Sequence, residues 1–358
     1  MRNLTSRRWI RIALVALFSV LLAVAPLVSS PYINYQLSMI TVFSVALLGL
    51  NIVMGYAGQV SLGQSAFLGL GAYIAAYGVR NDWPILLVFV LCAVIPALCG
   101  MIVALAAARL RGLALAMITI ALPIIGIPLA RRFSDFTGGS QGTTVSWLAA
   151  PDWSGLANDQ WRYYVVVAIA AVCFMLARNL VQGRVGRAFA IVKENESVAI
   201  AMGVSPYRYK VLAFTIASLL GGTAGFLYLA IVQYTSPETL NFFTSINLVA
   251  AMVIGGSATI IGTILGAIYF VVVPVLAGQV NSSRTALISG VILLLVLFVL
   301  PRGLVSLPRS IVGWSRAIRR RMGGGSPPDG ATDGSVVRGT TGPQSTNKNA
   351  IKVERQAP

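Results

Sequence analysis

Ten stretches of roughly twenty residues run through this chain almost without charge: 9–29, 36–54, 61–79, 84–107, 112–130, 161–181, 209–232, 244–261, 262–280 and 284–301. About 20 apolar residues in a helix cross the hydrocarbon core of a bilayer. Within lipid the backbone must satisfy its own polar groups, so a segment of this kind crosses as a helix. Of the 358 residues 57% are hydrophobic and 10% charged, where an ordinary soluble domain carries about 25% charge. The sequence therefore predicts an all-α integral membrane protein with about ten transmembrane helices. The pairs 36–54/61–79 and 244–261/262–280 are divided by glycine-rich breaks rather than by polar loops.

The net charge is +17, and its distribution excludes nucleic acid as the partner. With the amino terminus placed inside and the spans alternating, eighteen basic residues fall in or beside inner loops: Arg2, Arg7, Arg8, Arg11, Arg109, Arg111, Arg178, Arg184, Arg187, Lys193, Arg208, Lys210, Arg302, Arg309, Arg316, Arg319, Arg320 and Arg321. Five fall outside: Arg80, Arg131, Arg132, Arg162 and Arg284. Lys and Arg concentrate in cytoplasmic loops, so both termini are expected in the cytoplasm. Arg7-Arg8 before an apolar run, with Ala23-Val24-Ala25, resembles a secretory signal. Pro26 would follow the cut, and the run is long enough to span, so an uncleaved first helix is expected. Trp147, Trp153 and Trp161 bound or occupy the expected external loop 131–160 and read as interfacial anchors. The chain divides into a membrane domain, 1–312, and a basic then low-complexity cytoplasmic tail, 313–358. From Gly323 apolar runs cease and the tail is expected to be disordered.

All ten acidic residues lie outside the proposed spans and there is no histidine. An intramembrane proton relay needs such groups, although sodium can bind carbonyls at helix breaks. A Walker-type ATP site requires glycine directly before lysine. Here Lys193, Lys210, Lys348 and Lys352 follow Val192, Tyr209, Asn347 and Ile351. Histidine-based catalysis and metal binding are excluded by composition. Cys92, Cys99 and Cys173 sit in apolar runs and read as small core residues. No catalytic residue, metal ligand or cofactor is expected in this chain.

Two segments stand out. In Gly55-Tyr56-Ala57-Gly58-Gln59-Val60-Ser61-Leu62-Gly63-Gln64 glycines alternate with uncharged polar residues. Glycine breaks helices or lets them approach closely. Two readings are open: Gln59, Ser61 and Gln64 line a path for a polar solute, or they hydrogen-bond between tightly packed helices. The second segment, 186–210, lies on the expected cytoplasmic side. Residues 187–202 are expected to form one short amphipathic helix, ended by Gly203 and barred from continuing by Pro206. It either rests on the membrane surface or docks into a groove of a partner.

Together these residues resemble the permeases of branched-chain amino acid ABC transporters of the LivM type. The resemblance rests on Gly55–Gly63, on Leu110-Arg111-Gly112-Leu113-Ala114-Leu115-Ala116-Met117-Ile118-Thr119, on Thr137-Gly138-Gly139, and on Gly186-Arg187, Asn195-Glu196 and Gly203. It continues through Met252-Val253-Ile254-Gly255-Gly256, Gly262–Ala267 and Pro301-Arg302-Gly303-Leu304, in order over about 33–307. Gln64 departs from a common histidine, Gln141 from an acidic residue or asparagine, and Ser257-Ala258 from a glycine-containing pair. These departures bear on the solute more than on the architecture, since urea and short-amide importers share the family.

The resemblance implies a multi-pass protein of the inner (plasma) membrane that imports branched-chain amino acids or a related small solute by alternating access. It implies a homologous permease subunit, two cytoplasmic ATP-binding subunits and an extracytoplasmic solute-binding protein as partners. Hydrolysis would occur on the partner subunits. Gly55, Gln59, Ser61, Gln64, Thr137, Gly138 and Gly139 would border the path. Arg187, Lys193, Glu194, Asn195, Glu196, Gly203 and Tyr207 would belong to the loop that couples to the ATPases. The alternative is a stand-alone secondary transporter or channel for a small polar solute.

Overall fold

The computed structural model describes residues 24–107, 113–280, 284–299 and 303–306. Most of the expected span 9–29, the 110–112 end of one motif, and the tail 313–358 lie outside the described residues, as do both termini. Helices make up nearly all of the described chain. α1 covers Pro31–Leu50 and runs on as a π-helical turn, Asn51–Tyr56; α2 covers Gln64–Arg80, α3 Ile85–Ala107 and α4 Leu113–Arg132. α5 is Asn158–Gln182, α6 Arg184–Glu194, α7 Glu196–Ala201 and α8 Pro206–Val232. α9 (Phe242–Gly255), α10 (Ile260–Val280) and α11 (Thr285–Val299) complete the bundle. Pro31 and Pro206 stand in the first turns of α1 and α8, where the missing N–H costs no intrahelical bond.

Among the described residues seven helices are long and apolar enough to cross a membrane. Ten were expected. α2 has 17 residues, about 25 Å at 1.5 Å per residue, short of the roughly 30 Å hydrocarbon thickness. Its expected start at 61 is moved to 64 because residues 57–63 are not helical. α11 has 15 residues. The division expected at 261/262 falls instead between Gly255 and Ile260. Gly256 and Ala258 there have φ of 117° and 58°, values that end a right-handed helix.

α8 is the centre of the bundle and packs on α1, α2 and α3. In α1 and α8, 72% and 67% of the most apolar window is buried, against 28% in α3 and 22% in α5. The outer helices therefore turn much of their apolar surface away from the bundle. Small residues set the spacing at the centre. A Cβ on Gly71 of α2 would overlap the carbonyl of Gly222 in α8, and one on Gly225 would overlap the carbonyl of Leu68. Pro96 inside α3 lacks the N–H that would bond Cys92. Gly222 seats beside that freed carbonyl and the proline ring. Membrane helices associate through such close packing, because lipid supplies no hydrophobic drive between them.

At one end of the bundle a two-stranded pair, β1 (Thr143–Thr144) with β2 (Tyr234–Thr235), joins the 133–157 segment to the end of α8. The expected anchor Trp147 is buried here. Its ring stands edge-on to Phe226 at 5.0 Å and its Nε1 donates to the Leu229 carbonyl at 3.4 Å, so it is a core residue that ties the segment to α8. Trp153 is 81% exposed and stands edge-on to Trp161.

Because the clash at Gly71 is with backbone, Gly71→Val is expected to cost about 3 kcal/mol or more, the upper range for overpacking, and to lower the thermal midpoint in detergent. Gly290, on α11, has open space where a Cβ would go. Gly290→Ala is expected to leave the midpoint unchanged or raise it, since alanine is the better helix former.

Candidate functional site

The two glycine-rich breaks seen in the sequence meet in space, and the residue that joins them is Asn51. It is fully buried, at the start of the π-helical turn. Its Nδ2 donates to the Thr259 carbonyl at 2.9 Å, and its Oδ1 accepts from the Ala258 N–H at 2.8 Å. Both bonds go to the turn between α9 and α10, where Ala258 is held in the left-handed region. Non-helical backbone at membrane depth is tolerated only when its polar groups are satisfied within protein, and Asn51 does this with one side chain. No expectation was attached to Asn51. Its signal was a lone amide within the apolar run Leu50-Asn51-Ile52.

The first break then turns from Ala57 to Gly63 and is satisfied piece by piece. Ala57 and Gln59 donate their N–H groups to the carbonyls of Ile52 and Val53. The Leu62 N–H donates to Thr119 Oγ1 of α4 at 3.0 Å, and the Ser65 N–H to Ser245 Oγ of α9 at 3.0 Å. Gln59 is buried and donates through Nε2 to the Lys210 carbonyl at 3.1 Å. Gln64, 1% exposed, donates through Nε2 to the carbonyls of Ala46 and Ala217 at 3.0 and 3.3 Å, joining α1, α2 and α8. Ser61 is buried as well. In this conformation Gln59 and Gln64 hydrogen-bond between helices.

The segment 184–210 closes over this break. The single helix expected over 187–202 is two helices, because Asn195 ends one and caps the next. Asn195 is extended (φ −157°, ψ 116°), and its side chain accepts from the N–H groups of Ser197 and Val198. Asparagine is among the best helix N-caps, so the signal was present in Asn195-Glu196-Ser197. Gly203 does end α7, with φ of 76°; the Gly203 and Val204 N–H groups bond back to Ile200 and Ala199. α6 buries Gly186, Ala188, Phe189 and Val192, and Phe189 stands edge-on to Tyr209 of α8. This helix packs that face on the rest of the protein.

Two bonds fasten the segment to the break, Lys193 to the Gly55 carbonyl and Gln59 to the Lys210 carbonyl, and an ion pair within the segment braces the second. Lys193 Nζ donates to the Gly55 carbonyl at 2.7 Å, with its stem packed over Gly58, where a Cβ would stand 2.7 Å from Lys193 Cγ. Glu196 accepts from Lys210 Nζ at 2.6 Å, and their side chains are 27% and 10% exposed. Lys210 is thus a node, since its carbonyl also holds Gln59. Tyr207 Oη donates to the Leu105 carbonyl of α3 at 3.3 Å. Arg187 and Glu194 are exposed, as are Val198, Ile200 and Met202, the last two 64% and 66% exposed.

Thr137-Gly138-Gly139 lies away from the break, after α4. Gly138 has φ of 79°. Thr137 Oγ1 donates to the Phe133 carbonyl at 2.9 Å and accepts from the Gly139 N–H at 3.1 Å. Thr137 also lines a cavity of about 770 Å³ between α2, α3 and α4. The structure does not bring these residues together with Gln59, Ser61 or Gln64, which do not line that cavity. Among the described residues no group of His, Cys, Asp or Glu could hold a metal.

Against known proteins, residues 32–300 match the family model described as "Branched-chain amino acid transport system / permease component". The chain is 27% identical over 300 residues to the high-affinity branched-chain amino acid transport system permease protein LivM of Salmonella typhimurium, covering 76% of this chain and 69% of that protein. It is 24% identical over 186 residues to the permease protein LivH of the same system in the same organism, covering 50% and 60%. The autoinducer 2 import system permease protein LsrC of an Enterobacter species is 26% identical over 270 residues, covering 72% and 75%.

The buried ion pair makes an asymmetric prediction. Removing one partner of a buried pair typically costs about 3–5 kcal/mol, and the 27% exposure of Glu196 reduces that. Glu196→Gln strands the more buried Lys210 and is expected to lower thermal stability more than Lys210→Met, which leaves a carboxylate that can reach water. The double variant is expected to recover part of the loss. Thermal unfolding of the three purified variants checks the order.

Proposed function

We propose, from the premise that this chain belongs to the branched-chain amino acid transport system permease-component family, that it is one of two homologous permease subunits of an ATP-driven importer. It is a multi-pass membrane protein, and the inner membrane is its proposed location, with 184–210 facing the cytoplasm. The observation that carries the reading is the double fastening of 184–210 to the break, through Lys193 to Gly55 and through the Lys210 carbonyl to Gln59, with Glu196 bracing Lys210. A movement imposed on α6–α7 is delivered directly to non-helical backbone. The exposed Val198, Ile200 and Met202 give a partner an apolar contact, and the exposed Arg187 and Glu194 of α6 set the orientation of docking, as charged rims do.

Two ATP-binding subunits would bear on this surface, and an extracytoplasmic binding protein would deliver the solute at the opposite end. Similarity to both LivM and LivH, two permeases of one system by their names, supports pairing with a homologous subunit. Within this reading Gly55, Gln59, Ser61 and Gln64 form a fixed wall beside the solute's path, and Thr137-Gly138-Gly139 shapes its far end. The proposed solute is a branched-chain amino acid or a related small molecule such as urea or a short amide. The similarity to LsrC makes autoinducer 2 the competitor to test beside it.

The test is reconstitution with candidate ATP-binding and permease subunits in liposomes, with each solute and its binding protein supplied in turn. Solute-stimulated ATP hydrolysis with uptake is the expected result. Uptake by this chain alone, driven by an ion gradient, would overturn the reading. Within the working complex, Lys193→Met keeps the stem over Gly58 and removes the bond to Gly55. Allowing for its exposure, that bond contributes about 1 kcal/mol, roughly fivefold in an equilibrium. Uptake per ATP hydrolysed is expected to fall by about that factor, with complex assembly unchanged.

A further inference from the structure

α5 and α10 both pack on α1, and a cavity of about 360 Å³ is lined by Phe174, Met175, Arg178, Asn179 and Gln182 of α5 and by Ile260 of α10. Both helices are long and apolar enough to cross a membrane. α5 ends at Gln182 and α10 begins at Ile260, so the cavity sits where two spans reach the same membrane face. The α5 residues form a ladder. Phe174, Arg178 and Gln182 recur at four-residue spacing, as do Met175 and Asn179, so the five share one side of the helix. Successive rungs are about 6 Å apart. The helix is apolar without interruption from Val165 to Ala177, and Arg178 is its first charged residue after Arg162. The rung nearest the membrane interior is therefore apolar, the next carries a guanidinium and an amide, and the last a second amide.

Arg178 has no counter-charge. It is exposed, and no ion pair among the described residues includes it. The stretches that line the cavity hold none to offer, since no Asp or Glu occurs between Asp159 and Glu194 or between Glu238 and Asp329. An unpaired guanidinium at this level calls for an anion, and its planar fork fits two oxygens of a phosphate at once. The apolar rung beside it calls for a hydrocarbon chain on the same molecule. An anionic glycerophospholipid carries both, in that order along the membrane normal, and basic pockets between membrane helices bind such head groups. A zwitterionic lipid brings its own cation and leaves the charge here unbalanced. We propose that this cavity binds one anionic membrane phospholipid. Its phosphate lies on Arg178, the amides of Asn179 and Gln182 donate to head-group oxygens, and an acyl chain runs against Phe174 and Met175. The lipid then occupies the place where α5 gives way, at Gly183, to α6 and the segment 184–210. The inference rests on the chain spanning a bilayer, and not on which solute it carries or on what drives it.

The test uses the full chain, reconstituted in phosphatidylcholine vesicles that hold a trace of either phosphatidylglycerol or phosphatidylcholine with the same photoreactive diazirine on one acyl chain. Cross-links are mapped by mass spectrometry. Labelling of Phe174 and Met175 is expected to be about fivefold stronger from phosphatidylglycerol, the worth of one arginine near an anionic head group. Val172 and Leu176, 58% and 63% exposed on α5 and outside the cavity, record bulk lipid and should be labelled alike by both. Arg178→Gln should erase the preference and leave the thermal midpoint unchanged, since the arginine has no ion pair to lose. Arg132→Gln, at the end of α4 and away from the cavity, should keep the preference whole. Equal labelling by the two lipids, or a preference that survives Arg178→Gln, would reduce the cavity to ordinary lipid boundary. An equal loss with Arg132→Gln would mean general surface charge. Unlabelled Phe174 and Met175 beside labelled Val172 and Leu176 would mean that protein covers the cavity. Displacement of the phosphatidylglycerol label by excess glycerol phosphate in the water phase would assign the cavity to a soluble phosphate ester. Any one of these four results overturns the proposal.

Discussion

Backbone that leaves the helix inside a membrane protein must find its hydrogen bonds in neighbouring protein, and the centre of this structure depends on how that requirement is met. Two helix breaks lie against each other, and Asn51 satisfies the Ala258 N–H and the Thr259 carbonyl with one amide. Leucine at this position would leave both groups without those bonds, each loss costing about 1–3 kcal/mol. The turn it serves contains Ala258 at φ 58°, a conformation that glycine adopts without penalty and alanine does not. Here the bond to Asn51 holds alanine in place.

The second organising element is the close approach of backbones around α8. Gly222 meets Gly71 on one side and the carbonyl freed by Pro96 on the other, so three helices converge where side chains are absent. This packing leaves α4 only lightly held against the rest, and the large cavity lies under it. Contact is tight at the centre and loose at the edge, so the outer helices are the less constrained part of the bundle. At the other extreme, Lys193, Glu196 and Lys210 make the 184–210 segment an extension of the break and not a separate surface feature.

Much of the chain was legible from one property, the spacing of charge. The seven helices long and apolar enough to cross all overlap expected spans, because a stretch of about twenty apolar residues has few other uses. Boundaries failed where glycine, alanine or asparagine took a special backbone angle: the expected 261/262 division moved to 256–259, and the expected helix over 187–202 split at Asn195. The site was harder to read. Gln59 and Gln64 were conspicuous because they are polar among glycines. Their donors turned out to face Lys210, Ala46 and Ala217, residues 151, 18 and 153 positions away. Trp147 had the composition of an interfacial anchor and the position of a core residue, a difference set by the β1–β2 pairing that folds its segment onto α8.

By itself the sequence determined that the chain lives in a bilayer, that its spans are helical, and that its two glycine-rich segments are interruptions, because hydrophobic length and glycine chemistry act locally. Its ordered motifs were enough to mark the family. Only the tertiary structure decided that the two interruptions are one site joined by Asn51, that Lys193 reaches Gly55, and that α2, α3 and α4 enclose an apolar cavity between them. Each of these joins residues or helices far apart in the chain, and a hydrogen bond between distant residues leaves no periodic trace in a sequence.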